Sequence, residues 1–252
     1  MTATVAAGRT VHVEHCMGTA FTVDVRDPGD WQAAIGEVVT WLHHVDAVFS
    51  TYRPGSDISR LQRGELRLAD ADPLVAVVLD RCARVQADTG GAFTALSRGR
   101  IDPTGLVKGW AIERASALLR GRGAVNHAVN GGGDLQLAGE AAPGRGWQIG
   151  ISDPHERGRV LAVVGGSELA VATSGVAERG NHILDPFTGR PAAALASATV
   201  IGPSLTLADA YATAAFVLGR DALRWIEGVP GYQALVVAAD GGTARSSGWP
   251  HG

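Results

Sequence analysis

The hydrophobic pattern changes in the second half of the chain, and this change constrains the fold more than any other feature. From Ala124 onward, short apolar runs are separated by glycine and aspartate instead of following a helical period. Such runs predict β-strands joined mostly by tight turns, so an antiparallel or mixed sheet fits better than a doubly wound parallel one. The predicted strands cover residues 124–129, 135–138, 147–151, 160–164, 169–172, 182–184 and 196–201.

Helices dominate the first half and return near the end. Residues 11–25 predict two short strands interrupted at Met17-Gly18, and Asp30 is expected to cap the clearest amphipathic helix. The apolar face of that helix carries Trp31, Ile35, Val38, Leu42, Val45 and Phe49. Further helices are predicted over residues 58–63, 73–89, 106–120, 206–218 and 222–227, and a last strand over residues 235–238.

These elements predict one compact α+β domain. With 252 residues, of which 46% are apolar, the chain is long enough to bury a sizeable core. We expect residues 1–240 to form the domain, with a mixed, largely antiparallel sheet and flanking helices. Residues 241–252 are rich in Gly, Ser and Pro and predict a flexible tail.

Charge and composition exclude several partners. The net charge is −3 without long basic runs, which argues against nucleic acid or an anionic membrane surface as the main partner. No apolar run approaches the length of about 18 residues that a transmembrane helix needs. The start of the sequence has no pattern typical of a signal peptide, so a cytoplasmic protein is expected, or an extracytoplasmic one if the sequence is trimmed. Cys16 and Cys82 are expected to be buried, reduced thiols.

A single lysine, Lys108, stands among the 22 Lys and Arg residues. Where cations are otherwise arginines, a lone ammonium indicates a place that needs a compact point charge. Lys108 falls in the first turn of the helix predicted over residues 106–120, where the helix dipole disfavours a cation. A phosphate bound at the same helix N-terminus would reverse that cost. The alternative is a solvated surface lysine that tolerates the dipole.

Asp209 and Thr213 lie four residues apart on an Ala-rich helix. A carboxylate and a hydroxyl therefore share one helix face and offer two oxygens to a hard cation. Mg²⁺ suits such a sparse site because it keeps waters and substrate phosphates as its remaining ligands. The alternative is a capping box between Thr206 and Asp209, with Thr213 bonded back to its own helix.

Two further segments carry candidate chemistry. His182 precedes a Pro/Gly turn and is the best placed of the eight histidines for a general base, although a structural histidine is the alternative. Residues 130–134, Asn-Gly-Gly-Gly-Asp, allow close approach of backbone to a ligand, or form a hairpin turn. They match neither a Walker loop nor a dinucleotide fingerprint. Ser174-Gly175 is not a nucleophile elbow, which argues against a serine hydrolase.

Eight motifs in the same order resemble the ApbE family, the FAD:protein FMN transferases. They occupy residues 17–19, 49–56, 90–93, 102–110, 130–134, 172–175, 182–189 and 208–213. The resemblance implies an α+β domain that transfers FMN from FAD to a Thr or Ser hydroxyl of a target flavoprotein. It also implies Mg²⁺ dependence and release of AMP.

The resemblance also implies roles for individual residues. Residues expected to contact FAD are Met17, Tyr52, Ala92, Phe93, Thr94, Asp102, Lys108, His182 and Ile183. The metal is expected between Asp209, Thr213 and the backbone carbonyl of Gly105. His182 is expected to take the proton of the acceptor hydroxyl.

The chain departs from the family pattern at two places. Thr94 stands where the family typically has an aspartate, and the connection from Phe93 to Asp102 is short. The leader common in the family is also not expected here, because the start of the sequence shows no pattern typical of one. Two other activities remain open: a Mg²⁺-dependent FAD pyrophosphatase, in which water replaces the acceptor hydroxyl, and a flavin-binding module without turnover.

Overall fold

The structure, a computed structural model, describes residues 4–6, 8–97, 99–176, 180 and 183–250. The strands are β1 (Thr4–Ala6), β2 (Arg9–Cys16), β3 (Thr19–Val25), β4 (Leu96–Ser97), β5 (Arg100–Ile101), β6 (His127–Gly131), β7 (Asp134–Ala138), β8 (Trp147–Ser152), β9 (Val160–Gly166), β10 (Leu169–Gly175), β11 (Leu195–Gly202), β12 (Gln233–Ala238) and β13 (Thr243–Arg245). The α-helices are α1 (Gln32–Phe49), α2 (Asp57–Gln62), α3 (Pro73–Asp88), α4 (Thr104–Gly121), α5 (Leu205–Leu218) and α6 (Ala222–Ile226).

One antiparallel sheet organises the molecule. Within the described ranges it has nine strands in the order β1-β2-β3-β6-β7-β10-β11-β12-β13, and neighbouring strands run antiparallel throughout. The β8–β9 pair and the β4–β5 pair form separate two-stranded sheets. The predicted α+β class is confirmed, and the sheet is antiparallel where the sequence also allowed a mixed one.

Alternating side chains place the two cores on opposite faces of the sheet. In β12, Ala234 and Val236 belong to the main core, which α1, α4 and α5 cover. Leu235 and Val237, which point the other way, pack with apolar residues of β8 and β9. The period of two along a strand therefore explains why a hairpin, rather than a second layer of helices, covers the far face.

The predicted helices form close to their expected bounds. In α1, the five apolar residues from Ile35 to Phe49 that were assigned to one face are buried, while Trp31 is only partly buried and precedes the helix. The N-cap position falls on Trp31, one residue after the predicted Asp30, and Trp31 makes no side-chain capping bond; Asp30 accepts a hydrogen bond from the Gln32 N–H at 3.0 Å. None of the helices in the described ranges combines the length and apolarity that crossing a bilayer requires.

Two predicted strands differ from the structure. The run predicted at residues 124–129 becomes the strand His127–Gly131, because the Asp27 carboxylate accepts hydrogen bonds from the N–H groups of Val125 and Asn126 and holds them in a loop. The run predicted at residues 182–184 is not a strand in its described part: Leu184 forms an isolated bridge with Pro191. His182 lies outside the described residues.

The prediction of a flexible tail at residues 241–252 is wrong as far as Pro250. β13 pairs with β12 along the edge of the sheet, and the Ser246 hydroxyl accepts a hydrogen bond from the Ala234 N–H at 3.0 Å. Trp249 is 2% exposed and packs in the second core. The edge of β12 provides a pairing partner for β13, and the apolar face of the second core provides one for Trp249. The Gly- and Ser-rich composition of this segment predicts neither contact.

Helices α4 and α5 approach each other closely at Gly109. A Cβ atom placed on Gly109 would lie 2.5 Å from the Leu205 carbonyl oxygen and 2.7 Å from the Asp209 Cβ. Only a residue without a side chain allows this separation. The Gly109 N–H donates to the Asp209 Oδ2 at 2.9 Å, so the contact between the helices is also a hydrogen bond.

We predict that Gly109→Ala lowers the free energy of unfolding by about 1–3 kcal/mol, because the added methyl group overpacks the α4–α5 contact. Gly121→Ala is the matched control in the same helix: a Cβ there has no neighbour within 4 Å. It should leave stability unchanged or raise it by up to about 1 kcal/mol through helix propensity. Urea denaturation of both variants measures the difference, and equal effects would contradict the packing argument.

A cleft at the hairpin tips

A cleft of about 1420 Å³ opens where the tips of two hairpins meet α4, α5 and the turn around Pro186. Every predicted site residue that the structure describes lines it, although these residues come from segments far apart in the sequence. They are Met17, Tyr52, Ala92, Phe93, Thr94, Asp102, Gly105, Lys108, Ile183, Asp209 and Thr213. The twelfth, His182, lies outside the described residues.

The two hairpins present backbone to the cleft through tight turns. Met17 and Gly18, which join β2 to β3, have φ of 49° and 73°, and Gly132 and Gly133, which join β6 to β7, have φ of 61° and 92°. Positive φ at both central residues is the signature of a type I′ turn. The hairpin reading of residues 130–134 is therefore correct, and the turn still lines the cleft. A methionine in the left-handed region is unusual and places the Met17 side chain at the cleft.

Lys108 lies between two carboxylates. Its Nζ forms an ion pair with the Asp134 Oδ2 and lies 3.6 Å from the Asp209 Oδ1. The helix begins at Thr104, two residues before the predicted start, so Lys108 is past the first turn and the dipole argument weakens. The alternative of a solvated lysine is wrong, since its side chain is only 26% exposed and paired.

The first turn of α4 donates hydrogen bonds to acceptors in its own chain. Asp102 Oδ1 accepts hydrogen bonds from the Thr104 N–H at 3.1 Å and from the Thr104 hydroxyl at 2.6 Å. The N–H groups of Leu106 and Val107 donate to the Pro103 carbonyl at 3.0 Å. A carboxylate thus already provides the negative charge that the helix dipole favours at this end.

Asp134 is the principal site residue that the sequence argument missed. It is 1% exposed, and its Oδ1 accepts a hydrogen bond from the Thr173 N–H of β10 at 3.0 Å. That bond directs the other carboxylate oxygen toward Lys108. The available signal was the last residue of the Asn-Gly-Gly-Gly-Asp motif, which the hairpin turn carries to the cleft wall.

Asp209 and Thr213 do not have the helix-capping roles considered as alternatives. Helix α5 begins after Ser204, whose hydroxyl accepts from the Leu207 N–H, so Thr206 is not the capping residue. The Thr206 N–H donates instead to Glu113 at 2.7 Å. Thr213 exchanges a hydrogen bond with the Ser174 hydroxyl of β10 at 3.1 Å. Both Asp209 and Thr213 therefore present oxygen atoms to the cleft.

Gly105 completes this oxygen-rich corner. A Cβ atom on Gly105 would lie 3.6 Å from the Thr213 Oγ1 and 3.3 Å from the Phe93 ring, so the absence of a side chain lets the α4 backbone approach the hydroxyl. No group of three or more His, Cys, Asp or Glu side chains suited to a metal occurs among the described residues. The oxygen atoms of the side chains at this corner are those of the Asp209 carboxylate and of the Thr213 and Ser174 hydroxyls.

The residues expected on the flavin side form a second wall. Ala92 and Phe93 are buried beneath it, and Ile183 is half-buried. Thr94 is held locally, since its hydroxyl contacts the Gln86 Oε1 at 3.2 Å and accepts from the Leu96 N–H at 3.0 Å.

Tyr52 stands at the rim and is 89% exposed, a large aromatic surface without a covering partner in the described chain. Its loop is held by the Ser50 hydroxyl, which accepts from the N–H groups of Tyr52 and Arg53 at 3.2 Å each. Arg53 also pairs with Asp46 at 2.6 Å. The exposed ring is therefore carried by a constrained loop.

The cleft contains no activated thiol. Cys16 lines it, but burial raises the pKa of this thiol to about 11. Burial also raises the pKa of the Cys82 thiol, to about 12. Both cysteines are free and buried, as predicted, and both remain protonated near neutral pH.

Comparisons with known proteins agree with this architecture. The ApbE family profile matches residues 17–97 and 94–236. A FAD:protein FMN transferase of Rhodobacter capsulatus is 30% identical over 227 residues, which are 86% of this chain and 40% of that protein. One from Haemophilus influenzae is 35% identical over 138 residues, covering 50% of this chain and 40% of that protein. The chain thus spans about two-fifths of the length of these relatives.

Solved structures show the same fold. The ApbE protein of Thermotoga maritima superimposes with a TM-score of 0.83 at 24% identity, covering 95% of this chain and 97% of the other. The flavin transferase ApbE of Vibrio cholerae gives a TM-score of 0.83 at 22% identity, covering 98% of both chains. The profile match extends over most of the sequence and includes the segments that line the cleft. The chain belongs to the ApbE family.

Proposed function

We propose that this chain is a flavin transferase that moves the FMN part of FAD onto a Thr or Ser hydroxyl of an acceptor flavoprotein, with Mg²⁺ as cofactor and AMP as leaving group. One observation carries the proposal. A single cleft unites a cation, Lys108, an oxygen-rich corner formed by Gly105, Asp209 and Thr213, and an apolar wall at Ala92 and Phe93. A dinucleotide such as FAD has complementary groups: its flavin suits the apolar wall, and its charged pyrophosphate suits the cation and the oxygen-rich corner with a bound metal.

The oxygen-rich corner fits a hard divalent cation. Asp209, Thr213 and the Gly105 carbonyl would hold Mg²⁺, which prefers few protein oxygens and completes its shell with waters and phosphates. The Gly109 N–H, whose partner in a regular helix is the Gly105 carbonyl, also donates to Asp209, which keeps that carboxylate turned toward α4. A bound Mg²⁺ supplies neutralisation of the negative charge on the pyrophosphate.

The remaining chemistry falls to side chains of the chain. The acceptor oxygen bonds to the phosphorus of the FMN part, the bond from that phosphorus to the bridging oxygen breaks, and AMP leaves with the electron pair. Lys108 is a compact cation at the same cleft and would orient a phosphate oxygen. His182 would accept the hydroxyl proton, as its sequence position suggests. Exposed Tyr52 would cover the flavin at the rim.

The primary test is product analysis. The chain is incubated with FAD, MgCl₂ and a fragment of a flavoprotein that carries a Thr/Ser acceptor segment, and mass spectrometry follows acceptor and nucleotides. We expect covalent FMN on the acceptor, an equal amount of AMP, and loss of both when EDTA removes the metal. Free FMN together with AMP would instead identify a pyrophosphatase. Intact bound FAD would identify a binding module without turnover. If FAD does not bind at all, the proposal is wrong.

Thr213→Val tests the oxygen-rich corner. The substitution removes one hard ligand without changing side-chain shape, so the Mg²⁺ concentration needed for half-maximal transfer should rise by about tenfold, which corresponds to about 1.4 kcal/mol.

Thr206→Val is the matched control in the same helix. The Thr206 hydroxyl is buried, has no hydrogen-bond partner among the described residues, and does not line the cleft. The control should keep its Mg²⁺ dependence and match or exceed the unaltered chain in stability. Equal Mg²⁺ requirements in both variants would exclude Thr213 as a ligand.

His182→Ala tests the assigned base. We expect the transfer rate to fall by about a hundredfold or more, while the Kd for FAD changes little, because a general base acts in the transition state. His44→Ala serves as control, since His44 pairs with Asp72 away from the cleft. Stopped-assay rates and fluorescence titration with FAD separate the two quantities. A large loss of FAD affinity with a normal rate would make His182 a binding residue instead.

A further inference from the structure

The ammonium of Lys108 and the expected metal make opposing demands on one carboxylate. Asp209 is 5% exposed and is the only carboxylate of the oxygen-rich corner described above. Its Oδ1 lies 3.6 Å from the Lys108 Nζ. A divalent cation held by Asp209 would place like charges a few ångströms apart at a site of low solvent exposure, where their repulsion is strong.

Asp134 provides the second position for the ammonium. It is almost completely buried, and its carboxylate is fixed by the Thr173 N–H at 3.0 Å on one oxygen and by Lys108 on the other. One ammonium is thus shared between two carboxylates on different elements, the first residue of β7 and the middle of α5. The three charges sum to −1, which favours a further cation at the trio.

We propose that Lys108 is an internal counter-ion that competes with the divalent metal for Asp209, and that Asp134 is the positioning residue that holds the ammonium when the metal binds. The inference rests on the metal site of the proposed function. Binding then exchanges one cation for another at Asp209, while Asp134 keeps Lys108 at the cleft wall. The ammonium remains beside the place where the pyrophosphate is expected.

The arrangement explains why a lysine and a buried aspartate occur together here. Without Asp134, the ammonium would pair with Asp209 alone and hinder the metal. Without Lys108, Asp209 would lose its competing cation, and Asp134 would be a buried carboxylate without a counter-ion, which is costly. The effect of each residue on metal binding therefore depends on the presence of the other. Coupling of this kind is what a double-mutant cycle measures.

The test is Mn²⁺ binding to the flavin-free chain, followed by electron paramagnetic resonance. The cycle comprises the unaltered chain, Lys108→Met, Asp134→Asn and the double variant. We expect Mn²⁺ affinity to rise about tenfold in Lys108→Met and to fall about tenfold in Asp134→Asn. In the Lys108→Met background, the Asp134→Asn change should have less than about a threefold effect, because no ammonium remains to be held.

A second measurement uses the single lysine of the chain. Labelling with ¹⁵Nζ-lysine gives one side-chain ammonium resonance, which reports on Lys108 alone. Adding Mg²⁺ to the unaltered protein should shift this resonance in proportion to metal occupancy. In the Asp209→Asn variant, the same Mg²⁺ additions should leave it in place. A lysine with a purely structural role would give no shift in either protein.

Three results would overturn the inference. The first is a Lys108→Met affinity within twofold of that of the unaltered chain. The second is an equal effect of Asp134→Asn in both backgrounds, which would reduce Asp134 to a long-range charge. The third is absence of Mn²⁺ binding in all four proteins at millimolar metal.

Two controls keep these results interpretable. If Lys108→Met does not fold, the double variant must still bind Mn²⁺ far more tightly than Asp134→Asn. FMN transfer by the unaltered chain in the same Mn²⁺ buffer shows whether the proposed function survives independently of this inference.

Discussion

The hydrogen bond from the Gly109 N–H to the Asp209 carboxylate is the contact on which the rest of the cleft depends. It joins α4 to α5 at a separation that only glycine permits. With the helices fixed at this distance, the Gly105 backbone lies beside the Thr213 hydroxyl, and the Lys108 Nζ lies 3.6 Å from the Asp209 Oδ1. A buried carboxylate needs hydrogen-bond or ionic partners. The packing of α4 against α5 therefore also determines the arrangement of charges in the cleft.

The polar groups around this contact are satisfied by the elements that surround it. At the start of α5, the N–H groups of Leu205 and Thr206 donate to Gln136 of β7 and to Glu113 of α4. At the cleft wall, the hydroxyls of Thr173 and Thr199 pair across β10 and β11 at 2.9 Å. The first turns of α4 and α5 thus donate hydrogen bonds to acceptors of the protein itself.

Whether the sequence predicts an interaction depends on how far apart its partners lie along the chain. Contacts between near neighbours leave a local pattern, and contacts between distant residues do not. The periodicity of α1, the Asp72-Pro73 start of α3 and the alternation of β12 are local signals, and the elements they predict are present. The motifs also predict which described residues meet at the cleft.

The misses are contacts made across long stretches of chain. The partner of Lys108 is Asp134, which reaches it through a hairpin turn, and the start of α5 depends on Glu113 of another helix. Trp249 is ordered by a surface that β8 and β9 create. Local pattern carries no information about such partners, because the same residue types are equally compatible with solvent.

The strand order has a consequence for how the domain can form. β3 pairs with β6, so Phe21 lies opposite Gly131, and the sheet is joined across more than a hundred residues of helices and loops. The N-terminal hairpin has no neighbour on that side until β6 has been synthesised, and β6 in turn pairs with β7, which bears Asp134. Pairing between such distant segments slows folding and leaves the hairpin edge exposed during synthesis. The turn that carries Met17 therefore acquires its final surroundings only after the chain has been synthesised as far as β6.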